Sequence, residues 1–261
     1  IVANMQQAGV LFSTYDFREG EETLLLPLPL YHIYAFNACL GMLARGGHTV
    51  LVPNPRDLKS LVAAFRNSGC TGFAGLNTLF VALCNDADFR AVDFSRLKLT
   101  MSGGMALTMA AAGRWKEVTG VEIVEGYGMS ETSPVISVNP VNANRLGTIG
   151  IAVPSTEVRI VDDNGNEVAA GEPGELVVRG PQVMLGYWNQ PGETAKVLSP
   201  DGWLHTGDVA VVTPEGYLKI VDRKKDMIIV SGFNVYPNEI EEVVVAHPDV
   251  LECAAVGIPD E

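Results

Sequence analysis

Short apolar runs that alternate with helix-like segments constrain the fold of this chain more than any other feature of its sequence. Each run is continuous, with few polar residues inside it, as in Thr23–Leu28 and Thr71–Ala74. Continuous runs of this length are typical of strands buried on both faces of a parallel sheet. We predict strands at 23–28, 49–52, 71–74, 97–102 and 122–125 and helices at 1–12, 29–44, 58–67, 78–85 and 107–119. Repeated strand–helix units predict an α/β fold with a doubly wound, mainly parallel sheet.

The pattern changes near Thr148, where short alternating runs are separated by turn sequences such as Asp162-Asp163-Asn164-Gly165. Runs of this kind predict a β-rich subdomain. After Asp226 we predict a strand at 227–231, a helix at 237–246 and a strand at 251–256, which would begin a small α+β C-terminal domain. We therefore expect three parts: the α/β part of a large domain at 1–147, a β-rich subdomain with a hinge at 148–225, and the small domain at 226–261.

The composition indicates a folded protein and argues against a nucleic-acid partner. Of the 261 residues, 47% are apolar and 19% are charged, and the formal net charge is −13, so the chain can build a core, and only a local basic spot such as Arg223-Lys224-Lys225 could meet phosphates. The four cysteines are scattered without a CxxC pair, and we expect reduced thiols in a cytoplasmic protein. The longest apolar stretch, Ile33–Ala44, is too short to span a bilayer. Peripheral attachment to the inner membrane and assembly into a homodimer remain open.

Three stretches follow the carboxyl ends of predicted strands, where open α/β sheets bind their ligands. They are Tyr31-His32, Ser102-Gly103-Gly104-Met105 and Gly126-Tyr127-Gly128-Met129-Ser130-Glu131. In the third, the ring of Tyr127 can cover a planar ligand, and Ser130 and Glu131 offer a hydroxyl and a hard carboxylate oxygen that suits Mg²⁺. Each stretch also has an ordinary interpretation: a structural histidine, a strand-to-helix turn and a glycine-rich surface turn.

The stretch Gly202–Glu239 contains two chemical centres joined by a pair of predicted strands. The first is the turn His205-Thr206-Gly207-Asp208, in which a carboxylate follows a glycine and can accept hydrogen bonds from both hydroxyls of a ribose. The second is Asp222-Arg223-Lys224-Lys225-Asp226, an uninterrupted run of charges between two apolar runs. Such a cluster predicts a short exposed connection that can act as a pivot, or alternatively an ordinary charged hairpin loop.

The segment from Asp201 through Asp208, with Pro214, Gly216 and residues 218–225, resembles the signature of fatty acyl-CoA synthetases, which belong to the adenylate-forming superfamily. It departs from that signature conservatively, at Val209, Ala210, Val212 and Val221. The resemblance implies a ligase that uses ATP and Mg²⁺ to convert a long-chain fatty acid to acyl-AMP and then, with coenzyme A, to acyl-CoA. A ligase for medium-chain or aryl acids and a nucleotide-binding module without catalysis are the alternatives.

The same resemblance implies roles for individual residues in binding the nucleotide. Tyr127 would stack on adenine, and the catalytic candidates Glu131 and Ser130 would bind Mg²⁺ and contact phosphate; many family members have threonine in place of Ser130. Asp208 and Arg223 would bind the ribose. The other residues of the nucleotide site would be Glu125, Gly126 and Gly128 beside the aromatic ring, and Gly103, Gly104 and Met105 in a loop between adenine and the acyl group. Met105-Ala106 departs from the family's usual small residue followed by proline.

The acid and coenzyme A would contact a second group of residues. By the resemblance, His32 borders the carboxylate of the acid, Asn77 lies on a helix beside the acyl tunnel, Gly232 and Phe233 line the pantetheine channel, and Lys225 is the hinge. The apolar residues beside Asn77 are core by default: Phe73, Leu76, Leu79, Phe80 and Leu83. A tunnel along them would favour long chains, because each buried CH₂ contributes about 0.8 kcal/mol.

Two motifs of phosphate binding, GxxxxGK[ST] and GxGxxG, do not occur in the chain. The phosphate loop rich in Ser, Thr and Gly and the catalytic lysine that are typical of the family also have no match, and we expect them before Ile1 and after Glu261. The chain is therefore expected to be an internal fragment of a larger ligase, with little or no ligase activity of its own.

Overall fold

The structure is a computed structural model that describes residues 1–12, 16–230, 233–245, 247, 250 and 253–258. The chain divides into two units: the first contains Ile1–Thr156 and Gly180–Leu185, and the second contains Glu157–Arg179 and Gly186–Glu261. The domain boundaries that we placed at residues 148 and 226 stay predictions. Within the described ranges, no helix is both long enough and apolar enough to cross a membrane.

A seven-stranded sheet forms the centre of the first unit. Its strands are β1 (Thr23–Leu26), β2 (His48–Leu51), β3 (Gly72–Gly75), β4 (Leu99–Ser102), β5 (Ile123–Gly128), β6 (Val135–Val138) and β7 (Ile151–Ala152). They lie in the order β2-β1-β3-β4-β5-β6-β7; β1 to β5 are parallel, and β6 and β7 are antiparallel to their neighbours. All the strands predicted here are present, and the predicted α/β class with a mainly parallel sheet is confirmed.

The helices of the first unit, apart from the first one, which precedes β1, lie in the connections between the parallel strands. They are α1 (Val2–Phe12), α2 (Ile33–Ala44), α3 (Leu58–Ser68), α4 (Asn77–Asn85), α5 (Ala87–Arg90) and α6 (Met109–Thr119). All the predicted helices are present, and only the short α5 was not predicted. The side chains of Asp57 and Thr108 accept backbone N–H groups in the first turns of α3 and α6, which satisfies donors that helix starts leave unpaired.

An aromatic cluster fills one face of the sheet, between the strands and helices α3, α4 and α6. Phe73 stacks on Trp115 with ring centroids 5.4 Å apart, and Phe80 meets the same indole edge-on at 4.9 Å. The indole N–H of Trp115 donates to Thr100 Oγ1 at 3.1 Å, so the buried polar atom is satisfied. Phe73, Phe80 and Leu83 are fully buried here, which confirms that they are core residues.

The second unit is built from antiparallel strands. One sheet has the order β11-β10-β9-β8, and a separate pair consists of β12 and β13. The strands are β8 (Glu157–Val161), β9 (Gly174–Arg179), β10 (Leu204–Val212), β11 (Leu218–Arg223), β12 (Ile228–Val230) and β13 (Phe233–Val235), and the helices are α7 (Pro191–Val197) and α8 (Pro237–Val245). The β-rich character predicted beyond Thr148 is confirmed.

The strand predicted at 251–256 is not found where the structure describes that segment. Residues 251 and 252 lie outside the described residues, and 253–258 carry no strand. The backbone N–H of Ala255 instead donates to Glu241 Oε1 at 2.8 Å, and Cys253 Sγ lies 3.5 Å from the carbonyl oxygen of Glu241. These two contacts tie the segment to α8.

Candidate functional site

In the first unit, the candidate residues meet at the carboxyl ends of β4 and β5. Gly103 follows β4, and a Cβ atom at that position would lie 3.4 Å from the carbonyl oxygen of Gly126 and 3.6 Å from Cε1 of Tyr34. Gly104 and Met105 are exposed on the loop that leads to α6. The two glycine-containing stretches predicted to form one site are thus adjacent at the ligand-binding edge of the sheet.

The stretch 126–128 is a continuation of β5 and not the glycine-rich surface turn of the ordinary interpretation. Gly126, Tyr127 and Gly128 pair with Val138, Ser137 and Val135 of β6. The strand approaches its partner so closely that a Cβ atom at Gly128 would overlap the carbonyl oxygen of Pro134, so glycine is required there. The pairing holds the partly buried Tyr127 in a fixed backbone position.

A short 3-10 helix, Ser130–Thr132, directly follows this strand and carries the candidate phosphate and metal ligands. Ser130 is exposed and Glu131 is partly buried. The backbone N–H of Met184 donates to the carbonyl oxygen of Glu131 at 2.7 Å, and Thr132 Oγ1 donates to that of Met129 at 3.0 Å. A hydroxyl and a carboxylate on one fixed turn are a suitable donor set for Mg²⁺, which binds few protein carboxylates together with substrate phosphates.

Glu125 precedes this stretch, and its side chain leaves β5 on the face that packs against α6. Its Oε2 accepts the backbone N–H of Gly147 at 3.3 Å. Burial raises the pKa of the Glu125 carboxyl to about 7, although the backbone N–H groups of Gly147 and Leu107 partly oppose this by favouring the charged form. A carboxyl with this pKa changes its charge near neutral pH.

The two acyl-site candidates of the first unit have identifiable structural contacts. His32 is exposed and caps α2, because its Nδ1 accepts the backbone N–H of Tyr34 at 3.2 Å. This cap also explains why α2 begins at Ile33 and not at residue 29 as predicted. Asn77 Oδ1 accepts the backbone N–H and the hydroxyl of Thr108 at 3.0 and 3.1 Å, which ties the start of α4 to the start of α6.

Tyr34 is a residue of this site that the sequence did not reveal. Its hydroxyl donates to the carbonyl oxygen of Met101 at 3.3 Å, and its ring lies against Gly103. Burial raises the pKa of the Tyr34 hydroxyl well above its ordinary value, so the hydroxyl stays protonated. A signal for it was available: Tyr34 lies two residues after His32 in a run of otherwise apolar residues.

In the second unit, the predicted turn 205–208 is a bulge inside a continuous strand. β10 pairs with β9 at His205 and Val177 and resumes at Val209 and Glu175, so three residues of β10 oppose one residue of β9. Pairing on both sides keeps the segment extended, and Gly207 supplies the positive φ of 74° that the irregularity needs. The bulge redirects the strand just before Asp208.

Asp208 and Arg223, the two ribose candidates, are directly opposite each other on β10 and β11. Arg223 Nε lies 3.6 Å from Asp208 Oδ1; the Asp208 side chain is 15% exposed and the Arg223 side chain 63% exposed. The backbone N–H of Asp208 donates to Thr206 Oγ1 at 3.1 Å. The two halves of the signature, fifteen positions apart in sequence, are brought together by the strand pairing.

Glu175 supports the bulge and was missed in the sequence. Its carboxylate accepts the backbone N–H of Gly207 at 3.2 Å and lies 3.3 Å from His205 Nδ1 and 3.2 Å from Lys224 Nζ. Its side chain is 11% exposed. The only sequence signal was one acidic residue in the apolar run 174–178.

The charged cluster 222–226 is a connection between two sheets and not a hairpin loop. Its two flanking strands, β11 and β12, belong to different sheets and do not pair with each other. Lys225 is exposed in the turn. On its amino side, the buried Asp222 accepts the backbone N–H of Asn238 at 3.0 Å, which caps the start of α8.

The predicted pantetheine loop lies only partly within the described residues. Gly232 is outside them. Phe233 is 75% exposed and belongs to β13, where it pairs with Val230. Phe233 therefore lies in a strand beside the undescribed residues 231–232, and its place in the pantetheine channel stays a prediction.

Comparison with known proteins gives a consistent result. The family model described as AMP-binding enzyme matches residues 1–188. The long-chain-fatty-acid–CoA ligase of Escherichia coli O157:H7 is 51% identical over 261 residues, which cover 99% of this chain and 46% of that protein. The chain thus spans about half the length of the curated relatives it matches.

Solved structures resemble the fold over nearly the whole chain. The anthranilate CoA ligase AuaEII in complex with anthranoyl-AMP has a TM-score of 0.90 at 31% identity, over 98% of this chain and 49% of that one. ATP-bound MatB from Rhodopseudomonas palustris has a TM-score of 0.88 at 31% identity, over 98% of this chain and 51% of that one.

Proposed function

The chain belongs to the AMP-binding enzyme family, and on that premise we propose that the whole protein activates long-chain fatty acids as an acid–thiol ligase. A carboxylate oxygen of the acid attacks the α-phosphorus of ATP and pyrophosphate leaves, which gives acyl-AMP. The thiol of coenzyme A then attacks the acyl carbonyl, AMP leaves, and acyl-CoA is formed. The similarity to the Escherichia coli ligase supports the long-chain substrate.

The observation that carries this proposal is the facing pair of Asp208 and Arg223. The mostly buried carboxylate of Asp208, with the Arg223 guanidinium 3.6 Å away, can accept hydrogen bonds from the two hydroxyls of a ribose. Both residues lie in the stretch that resembles the fatty acyl-CoA synthetase signature, and the fold pairs them across two strands.

In the first unit we assign adenine to Tyr127, with Gly126, Gly128 and the loop of Gly103, Gly104 and Met105 beside it. Glu131 would hold Mg²⁺ and Ser130 would donate to a phosphate oxygen. When bound, Mg²⁺ supplies charge neutralisation at the phosphates. The backbone of the 3-10 turn is fixed, so both side chains are positioned before the ligand binds. Such positioning is a large part of catalysis of phosphoryl transfer.

For the later step we assign Lys225 to the hinge and Phe233 with Gly232 to the pantetheine channel. The exposed Lys225 lies where no ladder of backbone hydrogen bonds joins β11 to β12, which suits a pivot. Glu125, His32 and Asn77 remain assigned to the nucleotide and acyl sites as the sequence suggested. We also propose a cytoplasmic location, where the four cysteines would stay reduced.

A ligase for aryl acids is the second candidate. The observation that favours it is the close structural similarity to AuaEII, an anthranilate CoA ligase. The two candidates differ in the acid that they accept and share the nucleotide chemistry.

The deciding experiment is calorimetric titration with non-hydrolysable acyl-adenylate analogues, one long-chain and one aromatic, with AMP as the reference. Tighter binding of the long-chain analogue supports the proposal, and tighter binding of the aromatic analogue supports the second candidate. Equal binding of all three would remove the support for an acyl site in this chain.

Asp208→Ala tests the nucleotide assignment, and we expect it to weaken AMP binding by tenfold or more, about 1.5–3 kcal/mol for a hydrogen-bonded charge. Glu157→Ala is the matched control, since Glu157 also faces an arginine across antiparallel strands, with Arg179 Nη2 at 2.8 Å. An equal effect of both substitutions on AMP affinity would contradict the ribose role of Asp208.

A further inference from the structure

Helix α1 carries two buried amide side chains in a place where apolar residues would be expected. Asn4 is 0% and Gln7 6% exposed, and they meet Asn37 of α2 and Gln182, which are 5% and 2% exposed. Burying an amide costs free energy unless its hydrogen bonds are made. A buried amide cluster therefore calls for a reason other than the packing of α1.

The amide of Asn4 acts as a substitute for a neighbouring strand. Its Oδ1 accepts the backbone N–H of Val135 at 3.0 Å, and its Nδ2 donates to the carbonyl oxygen of Val135 at 2.8 Å. Nδ2 also donates to Gln7 Oε1 at 3.1 Å, and Oδ1 lies 3.4 Å from Asn37 Nδ2. All four hydrogen-bonding positions of the amide are used.

The same cluster reaches both sides of the 3-10 turn Ser130–Thr132. Asn37 Nδ2 donates to the carbonyl oxygen of Ser133, which directly follows the turn, at 2.9 Å. Gln182 Nε2 lies 3.5 Å from the carbonyl oxygen of Val135, and two residues later the N–H of Met184 donates to Glu131. Gln7 joins the two sides, since its Nε2 lies 3.2 Å from Gln182 Oε1.

We propose that Asn4, supported by Asn37, is a positioning residue for Ser130 and Glu131. It contacts neither metal nor phosphate; it fixes the backbone at Val135 and so the orientation of the turn that precedes it. This inference rests on the proposed function, in which that turn holds Mg²⁺ and phosphate. It explains why polar residues are kept at a buried position of α1, because a satisfied buried network specifies one geometry where apolar packing would allow several.

Asn4→Leu tests the proposal, with Thr71→Val as the matched control. Thr71 Oγ1 likewise accepts the N–H and donates to the carbonyl oxygen of one strand residue, Thr23, at 3.0 and 3.3 Å; Thr23 lies in β1, four strands away from β6 in the sheet. Both substitutions remove hydrogen bonds to a single strand residue. Only Asn4→Leu should affect the turn.

The first measurement is the affinity of the chain for ATP with and without Mg²⁺, with adenosine as a reference. We expect Asn4→Leu to reduce the affinity gained from Mg²⁺ by about tenfold, the loss typical of a buried hydrogen-bonded group, with adenosine affinity unchanged. Thr71→Val should change neither. If Asn4 has a purely structural role, the ratio of ATP affinity with Mg²⁺ to ATP affinity without Mg²⁺ should be the same in both variants. That result would overturn the proposal.

The second measurement is amide hydrogen exchange of peptides that cover residues 129–137. We expect exchange there to be about tenfold faster in Asn4→Leu and unchanged in Thr71→Val. If the unsubstituted chain shows no Mg²⁺-dependent ATP binding, the assignment of Mg²⁺ and phosphate to this turn fails, while hydrogen exchange still decides whether Asn4 orders the turn. If Asn4→Leu does not fold, Asn37→Ala, which removes one bond to Ser133, gives the same readouts, and unchanged exchange in it refutes the idea.

Discussion

Replacing Glu125 by Gln should make the stability of the protein less dependent on pH. Burial raises the pKa of this carboxyl from the ordinary 4.5 to about 7 in the folded state. Between these two pH values the folded protein binds more protons than the unfolded chain, so stability falls as the pH rises through this window. Gln keeps an oxygen that can accept the N–H of Gly147 and never ionises, so the variant lacks this loss.

The magnitude follows from the two pKa values. One pKa unit is worth about 1.4 kcal/mol, and linkage between 4.5 and about 7 gives a cost of ionisation of about 1 kcal/mol at pH 5 and about 3 kcal/mol at pH 8. The stability advantage of Glu125→Gln over the unsubstituted protein should therefore be about 2 kcal/mol larger at pH 8 than at pH 5.

Urea unfolding at several pH values between 5 and 8 measures this difference. Glu122→Gln is the control on the same segment, because the hydrogen bond from Lys116 Nζ, 2.7 Å away, lowers the pKa of Glu122. The stabilisation by the charged Glu122 is present above its ordinary pKa of 4.5 and is lost as the pH falls through its lowered pKa. Glu122→Gln should therefore be less stable than the unsubstituted protein at pH 8, by under about 1 kcal/mol because the pair with Lys116 is exposed. A stability gain of Glu125→Gln that is the same at pH 5 and pH 8 would refute the reasoning.

Two further predictions concern stability measured by urea unfolding. Gly128→Ala should lower the free energy of unfolding by about 3 kcal/mol or more, because the added methyl group would overlap backbone atoms. Gly113→Ala, in α6 with open space around it, should raise it by about 0.5–1 kcal/mol. Similar effects at both positions would contradict the argument that β5 and its partner approach too closely for a side chain at 128. Glu175→Gln should lower the free energy of unfolding by about 1–3 kcal/mol, because the Glu175 carboxylate faces three donors and its side chain is only 11% exposed. Asp163→Asn removes the other carboxylate that pairs with Lys224, at a side chain 85% exposed, and should lower it by under about 0.5 kcal/mol. Equal effects of the two substitutions would show that burial does not decide how much each carboxylate contributes.

The sequence predicted most of the sheet and its helices because these depend on local patterns. Continuous apolar runs located the parallel strands, and helical spacing located α1 to α4 and α6. Errors arose where a partner outside the segment decides the outcome. The bulge at 205–208 and the missing strand at 253–258 depend on β9 and α8, which no local pattern identifies.

The candidate site shows the same division. Side chains with an unusual chemical context, such as Tyr127 between glycines or Asp208 after Gly207, could be singled out from the sequence. Residues that act by supporting others could not. Glu175 and Asn4 are polar residues in largely apolar segments, and the pairing of β9 with β10 and the approach of α1 to β6 place them next to the backbone that they support.

The absence of pairing between β11 and β12, among the strands that the structure describes, has a consequence for the salt dependence of any motion at Lys225. Backbone hydrogen bonds, such as that from Lys224 N–H to the carbonyl oxygen of Gly207 at 2.9 Å, are insensitive to ionic strength, but this junction also depends on the ion pairs of Lys224 with Asp163 at 2.9 Å and Glu175 at 3.2 Å. Contacts between exposed charges weaken when salt shortens the screening length, which is about 8 Å at physiological ionic strength. The rate at which the segment beyond the turn reorients should thus rise with salt, while the sheets on either side remain unchanged.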